Sequence, residues 1–410
     1  MKKQTTAFLE TIIAICIILD CESVWKWMHG SGYFRLMLSL CFITSLLCLL
    51  IIKKNGLRRK EYIAAVCIGL YLAFFLIYNM FANSARTVNT VEFVTTIALM
   101  LLALHDTKII RDVMQRCSTV LCFMAAASLF FWLFGSVCHI LKPMQTLTVY
   151  VNNIPLTKPS YFYIQYEMQQ EEVLGFSGLY RNTGIFLEGP KYVLIISLLL
   201  AYELFIATIT SYKRCIVFSL VILSTMAMTG IYAVCLIWVL WLFVHFPAKT
   251  TKNLIMRTCF IVALFFTGIQ IVPYLNDSFS VKTNTASYNT RMDNYQAGFA
   301  AWLEKPLMGY GYQNMDGIIA HYSSFRSNDV GYSNSIFRIL AQGGLYLFSI
   351  FLIPIGKAIK DSIQKKDSKK AAFILIYLYY FITTSFPYSY LNYIVLLMLF
   401  FVSSTKKKVK

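Results

Sequence analysis

The sequence predicts an all-α polytopic integral membrane protein of about twelve transmembrane helices with two long extracytoplasmic loops, a single membrane domain over 1–410. Three observations carry that prediction. Hydrophobic residues make up 58% of the chain against 14% charged, and mean hydropathy is +0.61. The apolar residues fall in repeated runs of about 15 to 25, the length that lets a helix cross a hydrocarbon core. Each such run must satisfy its own backbone hydrogen bonds in lipid, which a helix does. Lys and Arg lie between the runs, so the net charge of +18 reads as a topology signal and not as a nucleic-acid-binding face.

In order, the spans are predicted at 5–19, 34–52, 62–81, 91–104, 117–141, 192–210, 215–228, 231–246, 258–274, 335–356, 371–386 and 391–402. The stretch 215–246 is ambiguous between one long helix and a tight hairpin turning near Thr229-Gly230. The hairpin is preferred because it leaves Lys249, Lys252 and Arg257 on the same side as the other basic connections. With that choice the N-terminus, the connections 53–61, 105–116, 211–214, 247–257 and 357–370, and the C-terminal tail hold 25 of the 37 Lys/Arg. Positive charge accumulates on the cytoplasmic side, so both termini are expected there. Glu10 and Glu203 fall inside spans, where a carboxylate lines a polar cavity or lies near enough to the interface to be solvated. No small-residue cleavage site follows the first apolar run, so the first helix is expected to be retained.

Eleven cysteines lie mainly within spans and show neither a paired framework nor zinc spacing. No metal and no cofactor is implied.

The two long outer loops, 142–191 and 275–334, are too rich in Tyr, Phe and Trp to read as disordered. In the first, β-prone residues at 146–151 and 161–166 around Asn152-Asn153 suggest a small hairpin capping the bundle. In the second, Thr290 and Asp293 have the spacing of a helix start. Met292, Tyr295, Phe299, Trp302 and Leu303 then share one face, giving an amphipathic helix at the membrane–water interface until Pro306 interrupts it.

Polar residues with functional promise concentrate in these loops. The first ends in Arg181-x-x-Gly184-x-Phe186-x-Glu188-x-Pro190, then Lys191 and an apolar helix. The second offers Arg291, Trp302, Pro306 to Gly311, Ser333-Asn334-Ser335 and Gln342-Gly343-Gly344-Leu345. In this order and on this side of the membrane, the pattern resembles the O-antigen and capsular polysaccharide polymerases of the Wzy type and the related O-antigen ligases. The resemblance implies glycan transfer from an undecaprenyl-pyrophosphate carrier to the non-reducing end of another lipid-linked repeat unit, with no nucleotide sugar. It implies a chain-length co-polymerase as partner, besides membrane lipid.

For that chemistry Arg181 and Arg291 are the first candidates for contacts to the pyrophosphate, because guanidinium groups are planar, always-charged donors. Lys191, Arg338 and Arg86 are further candidates, and an anchor to lipid headgroups is the alternative for each cation. Glu188 is the first candidate for the general base, with a loop-ordering ion pair as its alternative. His321 is the one histidine in either long loop, and Asp20-Cys21-Glu22 supplies an acidic pair after the first helix.

In the ligases a His-Asn-type pair precedes the glycine segment, and its His is associated with catalysis. Here that position reads Ser333-Asn334, which favours a polymerase. A ligase and a lipid-linked oligosaccharide flippase or transporter remain as alternatives, although a transporter is expected to show matching halves and midplane charges.

Overall fold

A computed structural model describes residues 2–27, 32–53, 59–151, 154–168, 170–173, 176–246, 258, 286–326 and 331–402. Helices occupy eleven of the twelve predicted positions: α1 Lys2–Asp20, α2 Gly32–Lys53, α3 Arg59–Ala82, α4 Thr87–Ala103, α5 Thr107–Phe131, α6 Gly189–Ala201, α7 Tyr212–Ser224, α8 Met228–His245, α11 Ser335–Gln364, α12 Ser368–Thr383 and α13 Tyr390–Phe401. The remaining predicted span, 258–274, lies outside the described residues apart from Thr258. Among the described residues six helices are long and apolar enough to cross a membrane: α2, α4, α5, α6, α8 and α11.

Local chemistry sets the boundaries. Side-chain caps start α5 (Asp106 accepting from Lys108 N), α11 (Asn334 from Phe337 N), α12 (Asp367 from Lys370 N) and α13 (Ser389 from Asn392 N). Pro190 opens α6, where its missing N–H costs no hydrogen bond. The ambiguous stretch is a hairpin, since α7 ends at Ser224 and α8 begins at Met228, with Met226 in the left-handed region (φ 53°).

α6 is the innermost helix, with every residue from Tyr192 to Ala201 buried. Its sequence is apolar all round, which suits a helix with no lipid-facing or solvent-facing side. Neighbours pack as α1 on α2 and α5, α3 on α4, α6 on α7 and α8, and α11 on α12 and α13.

The chain is not purely helical. The first long loop folds into β1 Gln145–Val151, β2 Ile154–Tyr161 and β3 Gln165–Tyr166, an antiparallel sheet, followed by the β4 Gln170–Val173 and β5 Phe176–Tyr180 hairpin. The β1–β2 pairing runs from Gln145 opposite Ser160 to Val151 opposite Ile154, and the expected turn at Asn152-Asn153 lies outside the described residues. The second expected strand starts seven residues earlier than predicted. Thr148 and Thr157 hydroxyls bond across the pair at 2.9 Å, a cross-strand contact that this register provides. Val24, Leu147, Val149, Tyr166 and Met168 form a satellite core that ties the sheet to the segment after α1.

The second long loop begins with α9 Ala286–Glu304 and the short α10 Asp316–Ile319. Thr290 is inside α9 and does not cap it, because the helix starts upstream at Ala286. Asp293 instead accepts from Ser323 N and Ser323 Oγ and pairs with Arg326 at 3.4 Å. The small face of α9, Ala297 and Ala301, packs inward. Met292, Phe299 and Leu303 stay exposed, as an interfacial helix requires.

Motif glycines in this loop serve packing. Gly309 and Gly344 are both left-handed (φ 68° and 60°), and a Cβ on Gly344 would meet the Leu307 backbone at 2.2 Å. That close approach lets Tyr310 N donate to Ala341 O at 2.8 Å and Leu345 N to Pro306 O at 2.9 Å, locking 306–311 onto α11.

Of the two intramembrane acids, Glu203 is fully buried on a π-helical turn, Tyr202–Ile206, and meets Arg214 at 2.9 Å. Glu10 is buried beside Arg116 at 3.8 Å. Each has an arginine partner.

Candidate functional site

At the opposite end the C-terminus of α1, the N-termini of α2, α4, α6, α11 and α13, and the 384–389 connection enclose a charged cavity of about 260 Å³. Its construction begins where two loops zip together. Ser23 and Phe186 form an isolated antiparallel bridge, Val24 N donates to Ile185 O at 2.7 Å, and Leu187 N donates to Glu22 O at 3.2 Å. The segment after α1 is thereby fastened to the Arg181–Lys191 loop.

That loop is held from below as well. Asn182 donates to Ser224 Oγ at 2.9 Å, Gly184 N to Gln165 Oε1 at 2.8 Å, and Phe186 stacks on Tyr192 with ring centroids 5.0 Å apart. Its buried polar groups therefore have partners, which makes it a rigid platform for the first turn of α6.

Four cations and three carboxylates line the cavity: Lys26, Arg35, Lys191 and Arg338 with Asp20, Glu22 and Glu92. Two of the cations are neutralised. Lys26 meets Asp20 at 3.1 Å and Glu22 at 3.7 Å, and Arg35 meets Glu92 at 3.6 Å. Ser39 and Tyr390 hydroxyls hold Glu92 further, while Tyr390 N donates to Asp20 Oδ2 at 2.9 Å.

The other two cations share an uncharged anchor. Lys191 Nζ donates to Ser385 O at 2.8 Å and Arg338 Nη1 to Ser385 Oγ at 3.0 Å, and among the described residues neither is in an ion pair. The Arg338 guanidinium also lies 5.7 Å from the Tyr388 ring centroid.

Glu22 adopts a left-handed backbone (φ 58°), uncommon for a residue with a Cβ, and this directs its carboxylate into the cavity, where Trp27 Nε1 donates to it at 2.9 Å. Burial pushes this carboxyl up, but Lys26, then Lys191, the Trp27 hydrogen bond and Arg338 outweigh it and hold it at about 2. Lys26 is raised above the usual lysine range: burial works against its charge, and Asp20 and Glu22 more than compensate.

A depressed carboxyl contributes fully above its ordinary value of 4.5 and loses that contribution as pH falls toward 2. Wild-type protein is thus expected to lose thermal stability between about pH 4.5 and pH 2 more steeply than Glu22→Gln, read from melting temperatures across that range. Equal slopes for the two proteins would remove Glu22 from the charge cluster.

The structure brings Lys191, Arg338 and the acidic pair Asp20 and Glu22 together in the cavity wall but leaves Arg181, Arg291, Glu188, His321 and Arg86 outside it. Half-buried Arg181 runs beside the start of α6, its Cδ 3.8 Å from the position of a Cβ on Gly189, next to Thr225. Exposed Arg291 on α9 is within electrostatic reach of Tyr379, whose hydroxyl donates to Thr229 O at 2.9 Å. Arg181 thus lies at Thr225 of the α7–α8 turn, and Arg291 is linked to Thr229 only through Tyr379.

Glu188 is exposed and caps α6 through its backbone, its carbonyl accepting from Lys191 N at 3.1 Å and Tyr192 N at 3.2 Å. His321 pairs with Glu304 at 3.0 Å, away from the cavity, and Arg86 is exposed on the turn Ser84–Arg86. Ser333, at the position where the ligases carry His, accepts from Asn294 Nδ2 at 3.0 Å.

Sequence reasoning did not single out Lys26, Arg35, Glu92 or Ser385. One signal was present, namely the polar and aromatic Ser385-Phe386-Pro387-Tyr388-Ser389-Tyr390 between the last two apolar runs.

No curated protein sequence matches the chain. A family model described as O-Antigen ligase matches residues 215–352, about a third of the chain, including Arg291, Arg338 and the docked glycine segment. Over that stretch the chain is similar to the O-antigen ligase family.

Proposed function

We propose that this protein is a polysaccharide polymerase that transfers a glycan from an undecaprenyl-pyrophosphate carrier to the non-reducing end of another lipid-linked repeat unit, on the outer face of the cytoplasmic membrane. The observation that carries the reading is the Lys191–Arg338 pair, two cations converging on Ser385 with no carboxylate within ion-pair distance among the described residues. In the reaction an acceptor hydroxyl attacks the anomeric carbon, the bond from that carbon to the phosphate oxygen breaks, the diphosphate leaves with the electron pair, and the hydroxyl proton passes to the released diphosphate. Negative charge develops on the leaving group, and fixed cations in a cavity shielded from bulk water stabilise it most where it is greatest.

Lys191 and Arg338 are assigned to that diphosphate, Arg338 through its planar donor fork. The N-terminus of α6 adds its dipole beside Lys191. Arg181 and Arg291 are assigned to a carrier pyrophosphate at the α7–α8 turn, outside the cavity, and a separate co-polymerase sets chain length.

The ligase reading is weaker because Ser333 occupies the position of the ligase His and His321 is engaged by Glu304. Gel analysis of glycan from a deletion strain, complemented with wild type, Arg181→Ala or Arg291→Ala, tests the reading. A polymerase defect leaves single repeat units on carrier or acceptor. Long chains stranded on the carrier would mean a ligase, and repeat units trapped on the cytoplasmic face a flippase.

A further inference from the structure

We infer that an apolar groove below the charged cavity, between α3, α4, α11 and α13, seats the carrier-proximal part of a polyprenyl diphosphate tail. The inference rests on the polymerase reading for the identity of the headgroup, and on geometry for the site. The groove measures about 530 Å³ and its lining is almost wholly apolar.

A wall shared with the cavity distinguishes it from an ordinary lipid-filled crevice. Tyr393 lines both spaces. On α4, Phe93 and Thr96 face the cavity and Ile97 and Met100 face the groove; on α13, Tyr390 and Tyr393 give way to Leu397 and Phe400. These are steps of three and four residues, so the same helix faces pass from one space into the other. A ligand that fills both must be anionic at one end and hydrocarbon at the other.

The groove has a structural origin. Pro354 sits inside α11, and its ring obstructs the carbonyl of Ile350; both residues line the groove. Tyr71 stacks on Tyr346 at 3.9 Å and its hydroxyl meets Ser349 at 2.8 Å, fastening α3 to α11 along the same wall.

From Tyr393 to Phe400 the helix rises roughly 10 Å, so the groove takes the first units of a long tail and leaves the rest in the bilayer. Lipid solvates a hydrocarbon tail about as well as leucine does, so the groove orients its occupant more than it adds affinity. An oriented tail fixes where the diphosphate meets Lys191 and Arg338, and such positioning lowers a barrier.

The test uses full-length protein in nanodiscs of phosphatidylethanolamine and phosphatidylglycerol, and a sugar-free polyprenyl diphosphate carrying a diazirine on its second isoprene unit. Crosslinks are expected on α4 and α13 peptides that line the groove. They should fall several-fold with excess unlabelled polyprenyl diphosphate and remain when the phosphatidylglycerol fraction is raised by the same amount. The double substitution Ile97→Trp/Leu397→Trp should also lower them several-fold.

Crosslinks spread over the lipid-facing surface, or equal competition by phosphatidylglycerol, would overturn the groove assignment, and the wild-type map decides this even if the filled variant fails to fold. Groove crosslinks without polymer formation would overturn the polymerase reading and keep the groove. Polymer formation with crosslinks elsewhere would do the reverse.

Discussion

Lys191→Ala and Arg338→Ala are each expected to lower the rate of glycan elongation on the order of 10²- to 10³-fold, the loss typical when one preorganised electrostatic donor is removed from a transition state. Both side chains reach Ser385 from separate helices, so each single variant leaves the other cation in place. Losses in the double variant should therefore be less than the product of the single losses, as for groups that act on one charge.

The conservative changes separate charge from shape. Lys191→Arg should recover more activity than Arg338→Lys, because a point charge cannot reproduce a planar fork. Elongation is measured with purified protein and a lipid-linked repeat unit, and folding by thermal melting in the same detergent. Wild-type rates in Arg338→Ala protein that melts normally would remove the cavity from the reaction.

Arg214→Ala carries the largest expected effect on stability. Glu203 is fully buried, and Arg214 contacts it through Nε at 2.9 Å and Nη2 at 3.3 Å; Ser118 Oγ adds a hydrogen bond at 2.5 Å and Ser211 N one at 3.3 Å. Removing the arginine leaves an uncompensated carboxylate inside the bundle, a loss of about 3–5 kcal/mol. That is a large fraction of the roughly 5–15 kcal/mol that holds a typical domain together.

The double variant Glu203→Gln/Arg214→Ala should recover most of the loss, because no charge is left buried. Thermal unfolding of the three proteins measures this. If Arg214→Ala melts with wild type, the pair is solvated and Glu203 is not the buried charge described above.

How far each of these features was legible in the sequence differs by residue. Lys191 was, as the first cation beside a long apolar helix. That Lys191 and not Arg181 lines the cavity was not, because that depends on which side of the α6 first turn each side chain takes. Pro190 starts the helix wherever the loop leads, but the Ser23–Phe186 bridge and the buried Asn182 and Gly184 contacts decide that Lys191 faces the cavity. Thr290 and Asp293 had a capping spacing that went unused, because Asp293 found Ser323 and Arg326, residues about thirty positions away.

By itself the sequence determined the membrane class, the positions of most helices, the α7–α8 hairpin and the strand at β1. These follow from local hydropathy, from charge asymmetry and from residues that disfavour regular structure, all of which act over a few turns of chain. Only the tertiary structure decided which polar groups meet. Lys26, Arg35, Glu92 and Ser385 come from four separate stretches of the sequence, and no spacing within any one of them records the others. The long-range packing of α1, α4, α6, α11 and α13 joins a charged cavity to an apolar groove, because side chains distant in sequence share those helix faces.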